Sequence, residues 1–272
     1  MSARDGDRWM VPPGGAPALT ARDPADTSGA PGGEEETRAC FDGLSDDLFA
    51  LQDRLRAEDR HSLLVVLQAM DAGGKDGTIK HVFRGLNPTG VHVTSFKQPS
   101  EDELAHDFLW RVHKVTPATG GIAIFNRSHY EDVLVVRVHG LVPEEVWRPR
   151  YEHINAFEAG LAAAGTRIIK LFLHVSRDEQ AERLRERLDR PDKRWKFKAA
   201  DLDERERWEA YMAAYEEAIA RTSTAHAPWY VVPADHKWFR NWAVSRIVIE
   251  ALQDLDPRYP PAGEDLDGLR VT

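Results

Sequence analysis

Cysteine is nearly missing from this chain of 272 residues, where Cys40 stands alone. A single thiol excludes an internal disulfide and any cysteine-based zinc site, and it fits a reducing compartment. Its place at the start of a helical pattern, in RACFDGL, suits packing better than nucleophilic chemistry. Long apolar runs are missing too. Nothing approaches the ~18 to 20 uninterrupted apolar residues of a membrane helix, so no membrane partner is expected. The opening MSARDGDRWMVPPGG lacks an apolar stretch after a basic start, which argues against a secretory signal and makes the cytoplasm the default location.

Apolar residues make up 42% and charged residues 30%, ordinary usage for a globular chain long enough to bury a full core. A formal charge of −9 by itself disfavours a polyanionic ligand, but the charges are unevenly spread. Residues 1 to 60 hold thirteen Asp/Glu against seven Lys/Arg, whereas Arg183 to Lys198 holds eight basic residues against Glu186, Asp189 and Asp192. Local field, rather than net charge, governs where an anion binds.

Residues 1–33 are rich in Gly, Pro, Ala, Asp and Thr without apolar periodicity, which predicts a disordered or loosely packed arm. Phe41, Leu44, Leu48, Leu51 and Leu55 recur at three- and four-residue steps and predict an amphipathic helix within Glu34 to Arg60. Apolar runs follow at Leu63 to Leu67, Val91 to Phe96, Gly121 to Phe125, Ile168 to Val175 and Trp229 to Val232, separated by helical patterns. That alternation is the signature of a parallel sheet with helices on both faces. Ser100 with Glu103, and Ser176 with Glu179, have the spacing of capping boxes that open two of the helices. The domain is bounded at 34–256, with a Pro-rich acidic tail over 257–272.

The first strand runs straight into AMDAGGKDGT, which places Gly73, Gly74 and Lys75 between a buried strand and a helix. Successive N–H groups in a tight glycine turn, the positive end of a helix and a lysine together make a phosphate site. Asp76, Gly77 and Thr78 continue it into the helix. A strict Walker A loop reads GxxxxGK[ST]; here Ala69 replaces the first glycine and Asp76 the Ser/Thr. The hydroxyl that would ligate Mg²⁺ is absent from that slot, leaving Asp71 as the natural metal ligand and Asp76 as a lesser candidate.

A second strand ends at Phe125 and is followed by Asn126, Arg127 and Ser128. Ligands of open parallel sheets sit beyond the carboxyl ends of the strands, so Arg127 can reach the phosphates held by Lys75, and a guanidinium binds phosphate oxygens bidentately. Glu131 and Asp132 could orient a metal-bound water or the nucleotide, and the sequence does not separate those roles. Further on, Arg183, Arg187 and Arg190 share one helical face, and Lys193, Arg194, Lys196 and Lys198 extend the charge into a loop. This reads as a mobile basic lid, about 183–205, fit to follow a linear polyanion and to exclude water from a reactive phosphoryl donor. Trp195 and Phe197 alternate with its lysines, to clamp a base or to pack the lid shut. Nucleic acid is a poorer fit, because aromatic and basic residues interleave only briefly and no docking motif is present.

Together these segments resemble the polyphosphate kinase 2 family from about Leu48 to Leu255: the loop DAGGKDG, the strand-end FNRSHYEDVLVVRVHG, the lid RPDKRWKF followed by DLDERERWEAYMAAYEEAI, and the late block WYVVPADHKWFRNWAVS. Many members carry Asp where this chain has Asn126; the NRS–YE version resembles the class III branch, associated with phosphorylating both nucleoside mono- and diphosphates. The resemblance implies a three-layer α/β P-loop kinase fold close to thymidylate kinases, a helical lid, Mg²⁺ dependence and a homo-oligomer, dimer or tetramer. It matches Asp71, Lys75 and Arg127 to catalytic positions, and Arg183, Arg187, Lys193 and Lys196, less closely, to lid basics. The expected reaction is reversible in-line transfer from inorganic polyphosphate to AMP and ADP, giving ADP and ATP. The rival readings are an ATP-dependent nucleoside monophosphate kinase and a module that binds polyphosphate or nucleotide without transfer.

Overall fold

The structure, a computed structural model, describes residues 4–262 and Arg270, so the acidic part of the 257–272 tail lies outside the described residues. A 3-10 turn at Asp5–Trp9 leads into a two-residue strand, β1 (Met10–Val11). Helices α1 (Glu34–Ala39) and α2 (Phe41–Glu58) precede β2 (Ser62–Ala69), and α3 (Lys75–Val82) follows it. Next come β3 (Val91–Ser95), the short helices α4 (Glu101–Leu104) and α5 (Trp110–His113), and β4 (Ile122–Asn126). Helices α6 (Val135–Val138), α7 (Glu144–Trp147) and α8 (Arg150–Ala163) lead to β5 (Thr166–His174). Finally α9 (Arg177–Asp189), α10 (Ala200–Glu206) and α11 (Trp208–Thr222) separate β5 from β6 (Trp229–Pro233), which α12 (Lys237–Leu255) follows.

The five apolar runs of the sequence are β2 to β6, all mutually parallel, in a sheet of order β1-β6-β5-β2-β4-β3. Every residue of β2 is buried, because both faces of the strand are covered. Leu63, Val65 and Leu67 meet the layer built by α2, α3 and α12, while Leu64 and Val66 meet α5, α8 and α11. In α2 the buried leucines are 44, 48, 51 and 55, so one stripe docks the helix against the sheet. β5 and β4 flank β2 on opposite sides, and this reversal of strand order opens a crevice at the carboxyl ends of β2 and β4.

Two expectations are corrected. The Glu34 to Arg60 segment is two helices rather than one, and Cys40 sits exposed at their joint, off the leucine stripe; its thiol donates to the Glu36 carbonyl at 3.4 Å. The amino-terminal arm is neither disordered nor loose over residues 4–33. β1 pairs antiparallel with β6, Trp9, Val11 and Leu19 are buried, and Trp9 packs edge-to-face on Phe239 and Trp242 at 5.9 Å. Its backbone is tied by distant side chains: the Glu216 carboxylate accepts the N–H groups of Ala18 and Leu19, and Glu250 accepts that of Gly6. Isolated anchors in a Gly/Pro-rich background leave no periodicity to read.

The capping spacings are realised differently. Ser100 and Glu103 form a full capping box. Ser176 caps the Glu179 N–H, but its own N–H donates to Asp235 and Glu179 turns to Arg183, tying α9 to the connection after β6. Truncating the buried Trp9 to alanine should cost about 3 to 5 kcal/mol of unfolding free energy, measured by urea denaturation. A loss below about 0.5 kcal/mol would mean that the arm does not belong to the core.

Candidate phosphate-transfer site

The turn after β2 is built by steric necessity. The Gly73 N–H donates to the Met70 carbonyl, and a Cβ on Gly73 would lie 2.6 Å from the Ala69 Cβ and 2.8 Å from that carbonyl oxygen. Ala72 and Gly74 both take left-handed backbone, with φ of 58° and 104°. The chain thereby reverses tightly enough to start α3 at Lys75 and to aim its first N–H groups outward, the geometry of an anion cradle. The loop is braced from behind: Gln180 donates to the Asp71 carbonyl at 2.9 Å and Arg183 to the Ala72 carbonyl at 3.2 Å.

Lys75 folds back over the turn and donates to the Ala69 carbonyl at 2.9 Å. Burial, with the nearby Arg127 charge, lowers its pKa to about 8 against the opposing pull of Asp71, Glu131 and Asp76. Arg127 follows β4 at a positive φ of 62° and donates to Asp71 at 2.9 Å, with Glu131 at 3.7 Å on its other side. Burial opposes the Arg127 charge, but Glu131 and Asp71 outweigh it and hold the guanidinium cationic. Asn126 donates to the Asp76 carboxylate at 2.7 Å. A carboxylate in place of Asn126 would face Asp76 at that distance and repel it, so the amide fits this loop.

The turn that carries Arg127 rests on a buried polar network. Ser128 caps the following 3-10 turn and accepts from Gln68 of β2. Tyr130 donates to Glu158 of α8 at 2.9 Å, and the fully buried Lys170 of β5 donates to both the Tyr130 hydroxyl and Glu158, and to the Thr222 carbonyl. Lys170 keeps Glu158 ionised in spite of its burial. Nothing in the sequence pattern announced this, beyond a lysine inside the apolar run of β5.

These elements surround a cavity of about 930 Å³ whose lining holds eleven Lys/Arg side chains against the four carboxylates Asp71, Asp76, Glu186 and Asp201. Asp71, Gly73, Gly74, Lys75, Asp76, Gly77, Asn126, Arg127, Arg183, Arg187, Lys193 and Lys196 all line it. Two expected site residues do not. Thr78 is buried in α3 with its hydroxyl on the Gly74 carbonyl, and Glu131 stands behind Arg127 as its counter-charge. Asp132 turns away, to Arg150 and Arg111, where burial pushes its carboxyl up to about 6. Arg183 is buried and fixed by Glu179 and the carbonyls of Ala72, Ala234 and Asp235, so it braces the loop instead of belonging to a mobile lid.

Arg190 is exposed and spent on Asp192 and Glu186. Trp195, 76% exposed, lines the cavity beside the lid lysines. Asp201 of α10 faces Arg187 at 3.6 Å, and burial, aided by the Asp71 charge, pushes its carboxyl up. Sequence reading did not single out Asp201, Lys97, Lys237 or Arg240, which also line the cavity. The early signals were position and resemblance: Lys97 is a basic residue just past β3, and Lys237 and Arg240 fall in the late block WYVVPADHKWFRNWAVS without being singled out there. A second cavity, about 660 Å³, lies at the amino ends of β3 and β4, the end of a parallel sheet away from its ligands.

Residues 33–260 match the family described as Polyphosphate kinase 2. The chain is 56% identical over 253 residues to the AMP/ADP-polyphosphate phosphotransferase of Meiothermus ruber, covering 93% of this chain and 95% of that protein. It is 48% identical over 238 residues to the ADP-polyphosphate phosphotransferase of Rhodopseudomonas palustris, covering 83% and 81%. Its fold superposes on the crystal structure of Polyphosphate Kinase 2 from Arthrobacter aurescens TC1 with a TM-score of 0.93, at 42% identity and over 97% of this chain and 94% of that one. A family match across most of the chain, and relatives at 56% and 48% identity over most of its length, show that the chain belongs to the polyphosphate kinase 2 family.

Proposed function

We propose that the chain transfers phosphoryl groups reversibly between inorganic polyphosphate and nucleotides, converting AMP to ADP and ADP to ATP with Mg²⁺. The observation that carries this reading is the charge of the cavity: eleven cations against four carboxylates, in a chain whose formal charge is −9. A field so concentrated suits a linear polyanion lying beside a second phosphate-bearing substrate. The Meiothermus ruber relative, named for both AMP and ADP, supports the choice of acceptors.

The chemistry follows from the placement of the side chains. The loop N–H groups and Lys75 hold the phosphate in the turn, and Arg127, steadied by Asp71 and Glu131, reaches the equatorial oxygens of the group in transfer. The acceptor is itself a phosphate with a second pKa of about 6, so near neutrality it attacks without a strong general base. The lid cations Arg187, Lys193 and Lys196 line the outer wall of the cavity, where they draw in the chain and shed water.

The acidic groups fit a magnesium ion. Among the described residues no three His, Cys, Asp or Glu side chains assemble a protein-only metal cage. Mg²⁺ is ordinarily held by one or two carboxylates with substrate phosphates and water, a part that Asp71, or Asp76 on the same cavity wall, can supply. When bound, the ion would neutralise phosphate charge as a Lewis acid.

The direct test offers AMP and ADP separately to the purified protein with Mg²⁺ and long-chain polyphosphate, and resolves the nucleotides by chromatography. ATP from ADP, and ADP then ATP from AMP, are expected; turnover only when ATP is the donor would make the chain a nucleoside monophosphate kinase instead. Lys75→Ala and Asp71→Asn should each lose at least about a hundredfold in kcat with the circular dichroism unchanged.

A pH effect follows from Lys75. Its pKa of about 8 lies below the ordinary lysine value, so between pH 8 and 10 the unliganded site is largely unprotonated. A bound polyanion favours the ammonium and raises that pKa, so binding takes up a proton across this window and weakens as pH rises through it. Calorimetry of polyphosphate binding at pH 8.5 in buffers of different ionisation enthalpy should record proton uptake that disappears in Lys75→Met.

A further inference from the structure

Arg240, in the first turn of α12, is only 3% exposed and yet lines the cavity. Its guanidinium donates to one acceptor, the amide oxygen of the adjacent Asn241, from Nε at 3.1 Å and Nη2 at 2.7 Å. Among the described residues no carboxylate pairs with it. Arg183, its neighbour, is the opposite case, with one carboxylate and three backbone carbonyls taking its donors. A buried cation is retained at a cost unless something pairs with it.

The unpaired guanidinium lies against the phosphate turn itself. Its Nη1 is 2.0 Å from where a Cβ on Gly74 would project, and its Nη2 is 3.4 Å from the corresponding point on Gly77. The missing side chain of Gly74 is therefore what lets the guanidinium reach the mouth of the cradle, where its other Nη lies in van der Waals range of Gly77. Burial and the Arg183 charge lower its pKa to about 9, which marks a cation short of a counter-ion. Nothing on α12 or in the turn supplies that counter-ion, but a phosphate in the cradle does.

We propose that Arg240 is a further substrate-binding residue, whose Nη1 and Nη2 grip oxygens of the phosphate chain seated in the Gly74–Gly77 turn. The inference deepens the functional reading given above and rests on it for the identity of the chain, which is either polyphosphate or the phosphates of the nucleotide. The grip acts on an oxyanion in both cases, and a planar fork holds it better than a point charge.

The test compares wild type with Arg240→Met, which keeps the aliphatic stem, and Arg240→Lys, which keeps the charge and loses the fork. Calorimetry reads the binding of tripolyphosphate alone and of ADP alone, and thermal melting reads stability. Because binding is measured without transfer, a wild type that binds but does not transfer would sink the functional reading and leave this one standing. At least about a tenfold loss of affinity in Arg240→Met is expected, with Arg240→Lys intermediate and the melting temperature unchanged or raised, since an unpaired buried charge has been removed. A loss confined to tripolyphosphate assigns the grip to polyphosphate, and one confined to ADP assigns it to the nucleotide. Wild-type affinity for both ligands, or a lowered melting temperature with affinity intact, would make Arg240 a structural brace and overturn the proposal.

Discussion

The structure depends on the turn between β2 and α3, which leaves no room for a side chain where it bends. Gly73 presses on Ala69 and on the Met70 carbonyl, Gly74 takes a φ of 104°, and together they let the backbone approach a ligand closely. The rest of the molecule holds that turn still. β2 is buried on both faces beneath it, Gln180 and Arg183 of α9 bind its carbonyls, and Arg127 closes it from β4 through Asp71. Three elements, two of them distant in the chain, converge on this turn, and a rigid cradle is what phosphoryl transfer asks of a protein that does little covalent chemistry.

The charge pattern follows the same logic. The cradle fixes one phosphate, and the cations around it extend in two directions: toward Arg127 and Lys97 at the ends of β4 and β3, and toward α9 and the 188–200 segment with Arg187, Lys193 and Lys196. Beyond Arg187 most side chains are exposed, whereas Arg183 is locked to the loop, so the fixed and the adjustable parts of the cationic wall meet within one helix. The acidic surplus of residues 1 to 60 lies largely outside this wall, and the net charge of the chain therefore says little about its ligand.

The features legible in the sequence were the local ones. Five apolar runs became five parallel strands, and the strand-loop-lysine-helix order placed Lys75 correctly, because strand burial and glycine turns write themselves into a few consecutive residues. What depends on distant partners was not legible. The amino-terminal arm is held by Trp9 against Phe239 and Trp242 and by Glu216, none of which leaves a pattern around residue 9. Glu131 and Asp132 are neighbours in sequence, yet one serves Arg127 and the other Arg150 and Arg111, a separation that only the 3-10 turn decides. Arg183 has the spacing of a lid residue and the surroundings of a brace. The buried Lys170–Glu158 pair, which carries the Arg127 turn, came from an exception to the strand's apolar pattern.

The most direct measurement is the turnover of Gly73→Ala with polyphosphate and ADP, followed alongside its circular dichroism. The added Cβ meets backbone and Cβ atoms that cannot move aside without opening the turn, while the strands and helices around it remain. The account predicts a folded protein that has lost ATP formation by at least about a hundredfold. A folded Gly73→Ala protein with wild-type turnover would contradict it, because the phosphate would then not depend on the shape of the turn.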